Sequence, residues 1–324
     1  MDIQKVAVIG AGVMGSGIAA QITNAGIPVL LLDIVPDGAE NRNVIAEGAV
    51  QKMLKADPAP LMVKRNAKLI ECGNLEDDLD KLKECDWIVE VVLEDLSVKH
   101  ETYKKIAKHR KKGSIVSSNT STILLSKLTE GMDKDMLKNF MITHFFNPVR
   151  YMRLLEIIQG DATDQKAVDE IAAFCDVKLG KGVVHCADSP GFIVNRILTF
   201  WMQKALNVAL DKNVPVEVAD AVLSKPIGVP KTGVFGLIDL VGVDLIPYLS
   251  KSLLSTLPKD DAYAKIYQEV AFINEMIDAG YKGRKGHGGF YRLNPDAPKG
   301  TKEKQSVTLA MDGFDAAKSY KKAD

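Results

Sequence analysis

Two groups of residues in this 324-residue chain have the types and spacing to do chemistry. The first is Gly10-Ala11-Gly12-Val13-Met14-Gly15, which follows the apolar run Val6-Ala7-Val8-Ile9 and opens a helical pattern reaching about Ala25. In that setting Gly10 permits a tight turn, Gly12 lets the backbone approach a pyrophosphate, and Gly15 lets helix and strand pack closely. Val13 and Met14 fall in the first helical turn, where unpaired amides and the positive dipole end favour an anion. Asp33 ends the next apolar run, close to the offset of about 20 residues at which a carboxylate takes the hydroxyls of an adenosine ribose. It would repel a 2′-phosphate, and Ile34, Val35 and Pro36 supply no arginine, so the expected cofactor is NAD rather than NADP.

The second group is a histidine and a carboxylate. His144 closes the apolar run 139–145 and precedes Phe146-Asn147-Pro148; open α/β sheets gather ligands beyond the C-terminal ends of their strands. Glu156 sits inside Leu154-Leu155-Glu156-Ile157-Ile158, where a buried charge is costly unless paired. If the two runs are neighbouring strands, the carboxylate bonds the imidazole, fixes its tautomer and stabilises the imidazolium, which is what a general base in alcohol oxidation requires. A histidine after a strand is also a common structural residue, and the residues alone leave both readings open. Of the other histidines, His100 and His109 lie among lysines, His185 ends a strand, and His287 lies in a glycine-rich loop.

The elements that must position these residues follow from periodicity. Strand, glycine turn, helix and strand within about thirty residues make a βαβ unit with parallel strands. Further apolar runs at 67–71, 87–92, 114–118, 139–145 and 153–158 alternate with helical patterns at 96–109 and 164–176, and the sheet is expected to end near Val184. Residues 40–66 read as a helix, a corner at Asp57-Pro58-Ala59-Pro60 and a second short helix, an excursion that either reaches over a ligand or packs on the sheet alone. At Asp188-Ser189-Pro190 the pattern changes: Asp188 or Ser189 is expected to cap a helix beginning at 190, followed by helices at 215–224, 242–256 and 262–279. The expected architecture is α/β: a Rossmann-type doubly wound sheet over 1–187, an all-helical domain over 188–294, and a loosely ordered tail over 295–324.

Bulk composition narrows the function classes. Hydrophobic residues make up 46% and charged residues 26%, and 42 basic residues balance 42 acidic ones. No global field favours nucleic acid or a membrane surface, so an anionic ligand needs a local basic patch. Lys52, Lys55, Lys64, Arg65 and Lys68 form one in the excursion, or else a solvated face. The apolar stretches are too short for membrane insertion. The four scattered cysteines contain no CxxC pair, no metal site is expected, and a reducing, cytoplasmic location fits best.

Four motifs then carry a resemblance. Gly-Ala-Gly-Val-Met-Gly-Ser-Gly at 10–17, Ser-Asn-Thr-Ser at 118–121, His-Phe-Phe-Asn-Pro at 144–148 and Asp-Ser-Pro-Gly-Phe-Ile-Val-Asn-Arg at 188–196 resemble those of L-3-hydroxyacyl-CoA dehydrogenases. The similarity runs from residue 3 to about 292, and is greatest to the dehydrogenase region of long bacterial fatty-oxidation enzymes. The resemblance implies reversible NAD-dependent oxidation of L-3-hydroxyacyl-CoA to 3-ketoacyl-CoA in fatty-acid β-oxidation. It also implies an acyl-CoA partner and either a homodimer or a fragment of a longer multifunctional chain. By the same resemblance His144 is the general base and Glu156 its partner, while Ser121 and Asn195 contact the reacting oxygen. Glu90 and Asp95 fall on the nicotinamide-ribose side, Lys285 near the cofactor, and Lys52 is a weaker candidate for a CoA phosphate.

Plainer readings stand beside these: Ser121 as a helix cap, Asn195 as an interhelical hydrogen bond, Lys52 as a solvated residue. Two rival functions are a related dehydrogenase of a small polyol acid such as L-gulonate and a non-catalytic NAD-binding module. The chain departs from the family's usual pattern at Val149-Arg150-Tyr151, at Lys285-Gly286-His287 and at Val234.

Overall fold

In the computed structural model, which describes residues 3–323 apart from Pro230, Lys299 and residues 310–312, the apolar runs of the first half form eight strands. They are β1 (Val6–Ile9), β2 (Val29–Asp33), β3 (Ile70–Asn74), β4 (Trp87–Glu90), β5 (Ile115–Ser118), β6 (Phe140–Phe145), β7 (Leu154–Gln159) and β8 (Gly182–Cys186). Helices α1 (Val13–Asn24), α2 (Val44–Lys55), α3 (Leu96–His109), α4 (Leu125–Leu128), α5 (Lys134–Lys138) and α6 (Gln165–Val177) connect them. The strand order is β3-β2-β1-β4-β5-β6-β7-β8. Every pairing is parallel except β6 with β7.

Both faces of the sheet are covered at its central strands β1, β4, β5 and β6, which are buried throughout, whereas β8 at one edge is mostly exposed. Successive residues of β1 go to opposite sides: Val6 and Val8 join one buried cluster with Ile18 and Ile22 of α1, and Ala7 and Ile9 join the other with Tyr103 and Ile106 of α3. The order reverses at β1, with β2 on one side and β4 on the other. In doubly wound sheets ligands bind at this switch point, beyond the strand C-termini. The expected excursion is present as α2, a proline corner and a 3-10 turn at Lys64–Leu69.

The chain divides into two units, Met1–Ile193 and Val194–Asp324. The boundary lies beyond the expected 187, and the first helix of the second unit starts at Val194 rather than at 190. Gly191 and Phe192 have φ of 73° and 49°, a left-handed conformation that cannot begin a right-handed helix. Asp188 caps a different helix instead: its carboxylate accepts the amides of Leu125 (2.7 Å) and Ser126 (3.0 Å) at the start of α4.

The second unit contains α7 (Val194–Asp211), α8 (Val216–Val222), α9 (Gly233–Val241), α10 (Leu245–Thr256), α11 (Ala262–Ile266) and α12 (Ala271–Asp278). The expected helix at 242–256 starts later because Gly242 has φ of 118°, and the one at 262–279 is broken between Ile266 and Ala271. The expectation of a loosely ordered tail is corrected. Strands β9 (Tyr291–Leu293), β10 (Lys304–Val307) and β11 (Tyr320–Lys322) pair antiparallel in the order β11-β10-β9, with Ser306 and Val307 fully buried. Arg292 stacks 3.8 Å over the Tyr320 ring, adding a side-chain clamp to the backbone ladder. Among the described residues no single helix is long and apolar enough to cross a membrane.

Candidate functional site

The glycine turn between β1 and α1 has the geometry its spacing requires. Gly10 has φ of 108°, and a Cβ there would lie 2.4 Å from the carbonyl oxygen of Val91. A Cβ on Gly15 would lie 1.8 Å from the carbonyl oxygen of Gly10, so helix and turn meet only because both residues lack side chains. At Gly12 a Cβ would meet nothing within 4 Å, and Gly12 lines a cleft of about 700 Å³. The backbone at the helix N-terminus therefore faces open room. Its first-turn amides lack intrahelical partners, so this cradle fits a dinucleotide pyrophosphate. Val13 lines the same cleft, while Met14 packs against the core.

Asp33 also lines the cleft. Its carboxylate accepts the amides of Ala11 (2.5 Å) and Ile34 (2.7 Å), which tie the end of β2 to the glycine turn. A carboxylate has about four lone-pair sites, so capacity remains for ribose hydroxyls. The cleft is closed on other sides by α2, including Lys52, and by Asn147–Tyr151 after β6. Of the five basic residues in the excursion, Lys52 lines the cleft and Lys55, Lys64, Arg65 and Lys68 are exposed elsewhere.

His144 and Glu156 are direct register partners in the antiparallel pair β6–β7. Imidazole Nδ1 stands 2.7 Å from Glu156 Oε2, with the histidine 5% exposed and the glutamate fully buried. Glu156 Oε1 accepts the amide of Ile193 at 3.1 Å. The imidazole is flanked by Phe146 and Phe192, with ring centroids at 4.4 and 5.6 Å. A carboxylate at Nδ1 makes that nitrogen the N–H donor and leaves Nε2 with its lone pair, the form a general base needs.

Ser121 follows the C-terminal end of β5, the strand beside β6. The two strand ends are tied by Asn119, whose side-chain oxygen accepts the amide of Phe145 at 2.9 Å. The loop of Ser121 is held by a residue that the sequence reading missed: Glu94 Oε1 accepts the amides of Ser121 (3.1 Å) and Thr122 (3.2 Å) and the hydroxyls of Thr120 and Thr122. Burial works against the charge on Glu94, but Lys99 and these donors outweigh it and hold the carboxyl below its usual range.

Glu90 and Asp95, the residues that the resemblance puts on the nicotinamide-ribose side, are both held by donors of the protein. Glu90 is fully buried, and four donors saturate it: the Val92 amide (2.8 Å), Lys99 Nζ (2.8 Å), Tyr103 Oη (2.6 Å) and Ser118 Oγ (2.6 Å). Asp95 caps α3, accepting the Val98 amide at 3.0 Å. The signal for Glu94 and Lys99 was available as a carboxylate next to a helix cap and a lysine on the sheet-facing side of α3, but nothing local tells that they meet, as they do at 3.2 Å.

Two expected site residues belong to the second unit. Asn195 is in the first turn of α7. Lys285 pairs with Asp244 at 2.7 Å in the glycine-rich loop before β9. That loop is anchored by buried Asp239, whose carboxylate accepts the amides of Phe290 (2.7 Å) and Tyr291 (2.8 Å). Among the described residues no cluster of three metal-binding side chains occurs.

Comparison with known proteins agrees with this geometry. Residues 5–189 match the family described as 3-hydroxyacyl-CoA dehydrogenase, NAD binding domain, and residues 191–293 match its C-terminal domain. A Rickettsia prowazekii protein named "Putative fatty acid oxidation complex trifunctional enzyme" is 42% identical over 93% of this chain, which spans 42% of that protein's length. A Deinococcus radiodurans protein named "Probable 3-hydroxyacyl-CoA dehydrogenase" is 41% identical over 91% of this chain and 84% of its own. The solved (S)-3-hydroxybutyryl-CoA dehydrogenase of Ralstonia eutropha superposes with a TM-score of 0.70 at 29% identity, covering 88% of this chain and 96% of that one. The chain belongs to the 3-hydroxyacyl-CoA dehydrogenase family.

Proposed function

We propose that this protein oxidises L-3-hydroxyacyl-CoA to 3-ketoacyl-CoA, reversibly and with NAD, in fatty-acid β-oxidation. The observation that carries the reading is the buried His144–Glu156 pair at the C-terminal edge of a sheet whose glycine turn forms a pyrophosphate cradle. The cradle at Gly10, Gly12 and Gly15 and the carboxylate of Asp33 hold the dinucleotide. Bound there, the nicotinamide takes up a hydride.

Nε2 of His144 takes the proton of the substrate hydroxyl, and Glu156 stabilises the imidazolium that forms. Ser121 donates to the reacting oxygen, supported by its place beyond β5 and by the Glu94 clamp on its loop. Asn195 is assigned to the same oxygen on the family resemblance. Lys52 is assigned to a phosphate of CoA, supported by its place on the cleft. Lys285 is assigned to the cofactor on the resemblance alone.

Consumption of NADH with acetoacetyl-CoA and with acetoacetate, and reduction of NAD with a polyol acid, together test the reading. Turnover confined to the CoA ester is expected; turnover of the polyol acid or of none would overturn it. His144→Ala is expected to abolish turnover while NADH still binds. The protein is proposed to act in the cytoplasm, in keeping with four unpaired thiols. It is proposed to act as a homodimer, supported by Ile197 and Phe200 on α7, which are 63% and 37% exposed in the chain by itself. Sedimentation at micromolar concentration checks this.

A further inference from the structure

The turn after His144, Val149-Arg150-Tyr151, is held on several sides. The carbonyl of Pro148 accepts the amides of Tyr151 and Met152, both at 3.0 Å. Buried Lys181 sends its ammonium to the carbonyls of Val149 and Met152, and the Gly182 amide bonds the carbonyl of Arg153 at 2.8 Å. Val149 packs against α1 at Gly17, where a Cβ would lie 2.9 Å from its side chain. With the backbone fixed from behind, Arg150 and Tyr151 grip the proline corner: Arg150 Nη1 donates to the Ala59 carbonyl at 2.7 Å and Tyr151 Oη at 3.1 Å.

That grip uses one nitrogen of the guanidinium. Among the described residues Nε and Nη2 of Arg150 have no hydrogen-bond partner, and Arg150 is one of two cations lining the cleft, with Lys52. Among the described residues the one acid lining it is Asp33, which is already held by two amides. A planar guanidinium fixed at one corner, with an unused edge and a place on a cleft otherwise poor in acids, can make a bidentate contact with a phosphate.

We propose that Arg150 is a phosphate contact of this cleft and sets its preference for phosphate-bearing ligands. The inference rests on the dehydrogenase reading, which supplies two sources of the phosphate: the CoA carrier of the thioester, and the dinucleotide. The grip on Ala59 and the phosphate contact are separable, because Tyr151 Oη also holds the Ala59 carbonyl, at 3.1 Å, and glutamine at position 150 removes the charge.

The test compares the parent protein with Arg150→Gln and Arg150→Lys, using acetoacetyl-CoA and acetoacetyl-pantetheine, a thioester without phosphate. NADH and CoA affinities are measured by calorimetry. If the phosphate is that of CoA, R150Q lowers kcat/KM for the CoA thioester about ten-fold relative to the pantetheine thioester, the size expected for one half-exposed charge-assisted contact. R150K restores part of that ratio, and NADH affinity does not move. If the phosphate is that of the dinucleotide, R150Q weakens NADH about ten-fold and leaves the thioester ratio as it was. Unchanged ratio and unchanged NADH affinity, or equal losses on both thioesters, overturn the proposal. A parent that turns over no thioester, yet binds CoA or NADH about ten-fold more tightly than R150Q, overturns the dehydrogenase reading and leaves the phosphate contact standing.

Discussion

Glu156→Gln tests the catalytic reading most sharply, because the bonds of this carboxylate to His144 and to the Ile193 amide cannot both survive in an amide. Glu156 accepts from His144 Nδ1 at 2.7 Å with one oxygen and from the Ile193 amide at 3.1 Å with the other. Glutamine has one acceptor oxygen and one NH2. If its oxygen faces the imidazole, two N–H groups confront each other at Ile193, at a cost of about 1–3 kcal/mol for a buried donor left unsatisfied. If its oxygen faces Ile193, its NH2 must meet a bare Nδ1, and the imidazole proton moves to Nε2, where it blocks the base. The second arrangement satisfies both His144 and Ile193 and dominates, leaving roughly one molecule in 5 to 150 with a usable base at ~1.4 kcal/mol per tenfold. Even that fraction lacks the charge that stabilises the imidazolium, worth about 1.5–3 kcal/mol as a charge-assisted bond, or a further factor of roughly 10 to 150. The product is a fall in kcat of about 10² to 10⁴. Steady-state oxidation of NADH with acetoacetyl-CoA reads kcat, and fluorescence titration reads NADH affinity, which is expected to stay within two-fold. A kcat within about three-fold of the parent, with NADH bound normally, would refute the assignment of Glu156 and the tautomer argument with it.

Other expectations follow from the same geometry. Gly12→Ala places its methyl in open cleft space, so it is expected to leave the thermal midpoint unchanged and weaken NADH binding at least ten-fold; Gly15→Ala, aimed at the carbonyl of Gly10 at 1.8 Å, is expected to destabilise the fold by about 1–3 kcal/mol or more, and equal melting of the two variants would contradict this. Asp33→Ser removes the charge that opposes a 2′-phosphate and is expected to narrow the ratio of NAD to NADP affinities by about ten-fold or more; an unchanged ratio would place cofactor discrimination elsewhere. Burial pushes the Asp239 carboxyl from 3.8 up to about 6, against the pull of the Tyr291 and Phe290 amides. Because the folded value is the higher one, its contribution to stability is full below about pH 4 and is lost as pH rises through about 6, roughly 2–3 kcal/mol in all. Urea unfolding from pH 4 to 7 is expected to show that loss in the parent but not in Asp239→Asn, and parallel curves would contradict it.

The sequence carried the sheet because its central strands, buried on both faces, are short apolar runs set between glycines and helices, and it carried the cradle because all three glycine roles sit within six consecutive residues. The second unit was less legible. Its helices break where Gly242 takes φ of 118° and where the chain between Ile266 and Ala271 leaves the helix, and hydrophobic period does not register either event. The tail strands hold three or four residues each, rich in lysine, and were hidden for the same reason that they are stable. Their stability comes from pairing between segments distant in sequence and from Arg292 stacking on Tyr320, not from local pattern.

The contrast between Glu156 and Glu90 shows where the reading of the site stops. Both are carboxylates inside apolar strands, and both therefore demand a partner. For Glu156 the partner is on the adjacent strand, where pairing leaves two faces to choose between; a slip of one residue would have turned it away from His144. For Glu90 the partners are Lys99 and Tyr103 on a helix face and Ser118 on the next parallel strand, three positions that no short-range rule joins. From the sequence, that demand names a strand partner for Glu156 alone; Glu90 enters only through the resemblance. Lys99 then bonds Glu90 at 2.8 Å and Glu94 at 3.2 Å, so the same buried ammonium that neutralises the strand also fixes the carboxylate holding the Ser121 loop. A charge buried for structural reasons thus becomes the anchor of the Ser121 loop, which follows the strand next to the one carrying His144, and replacing Lys99 would disturb the core and that loop together.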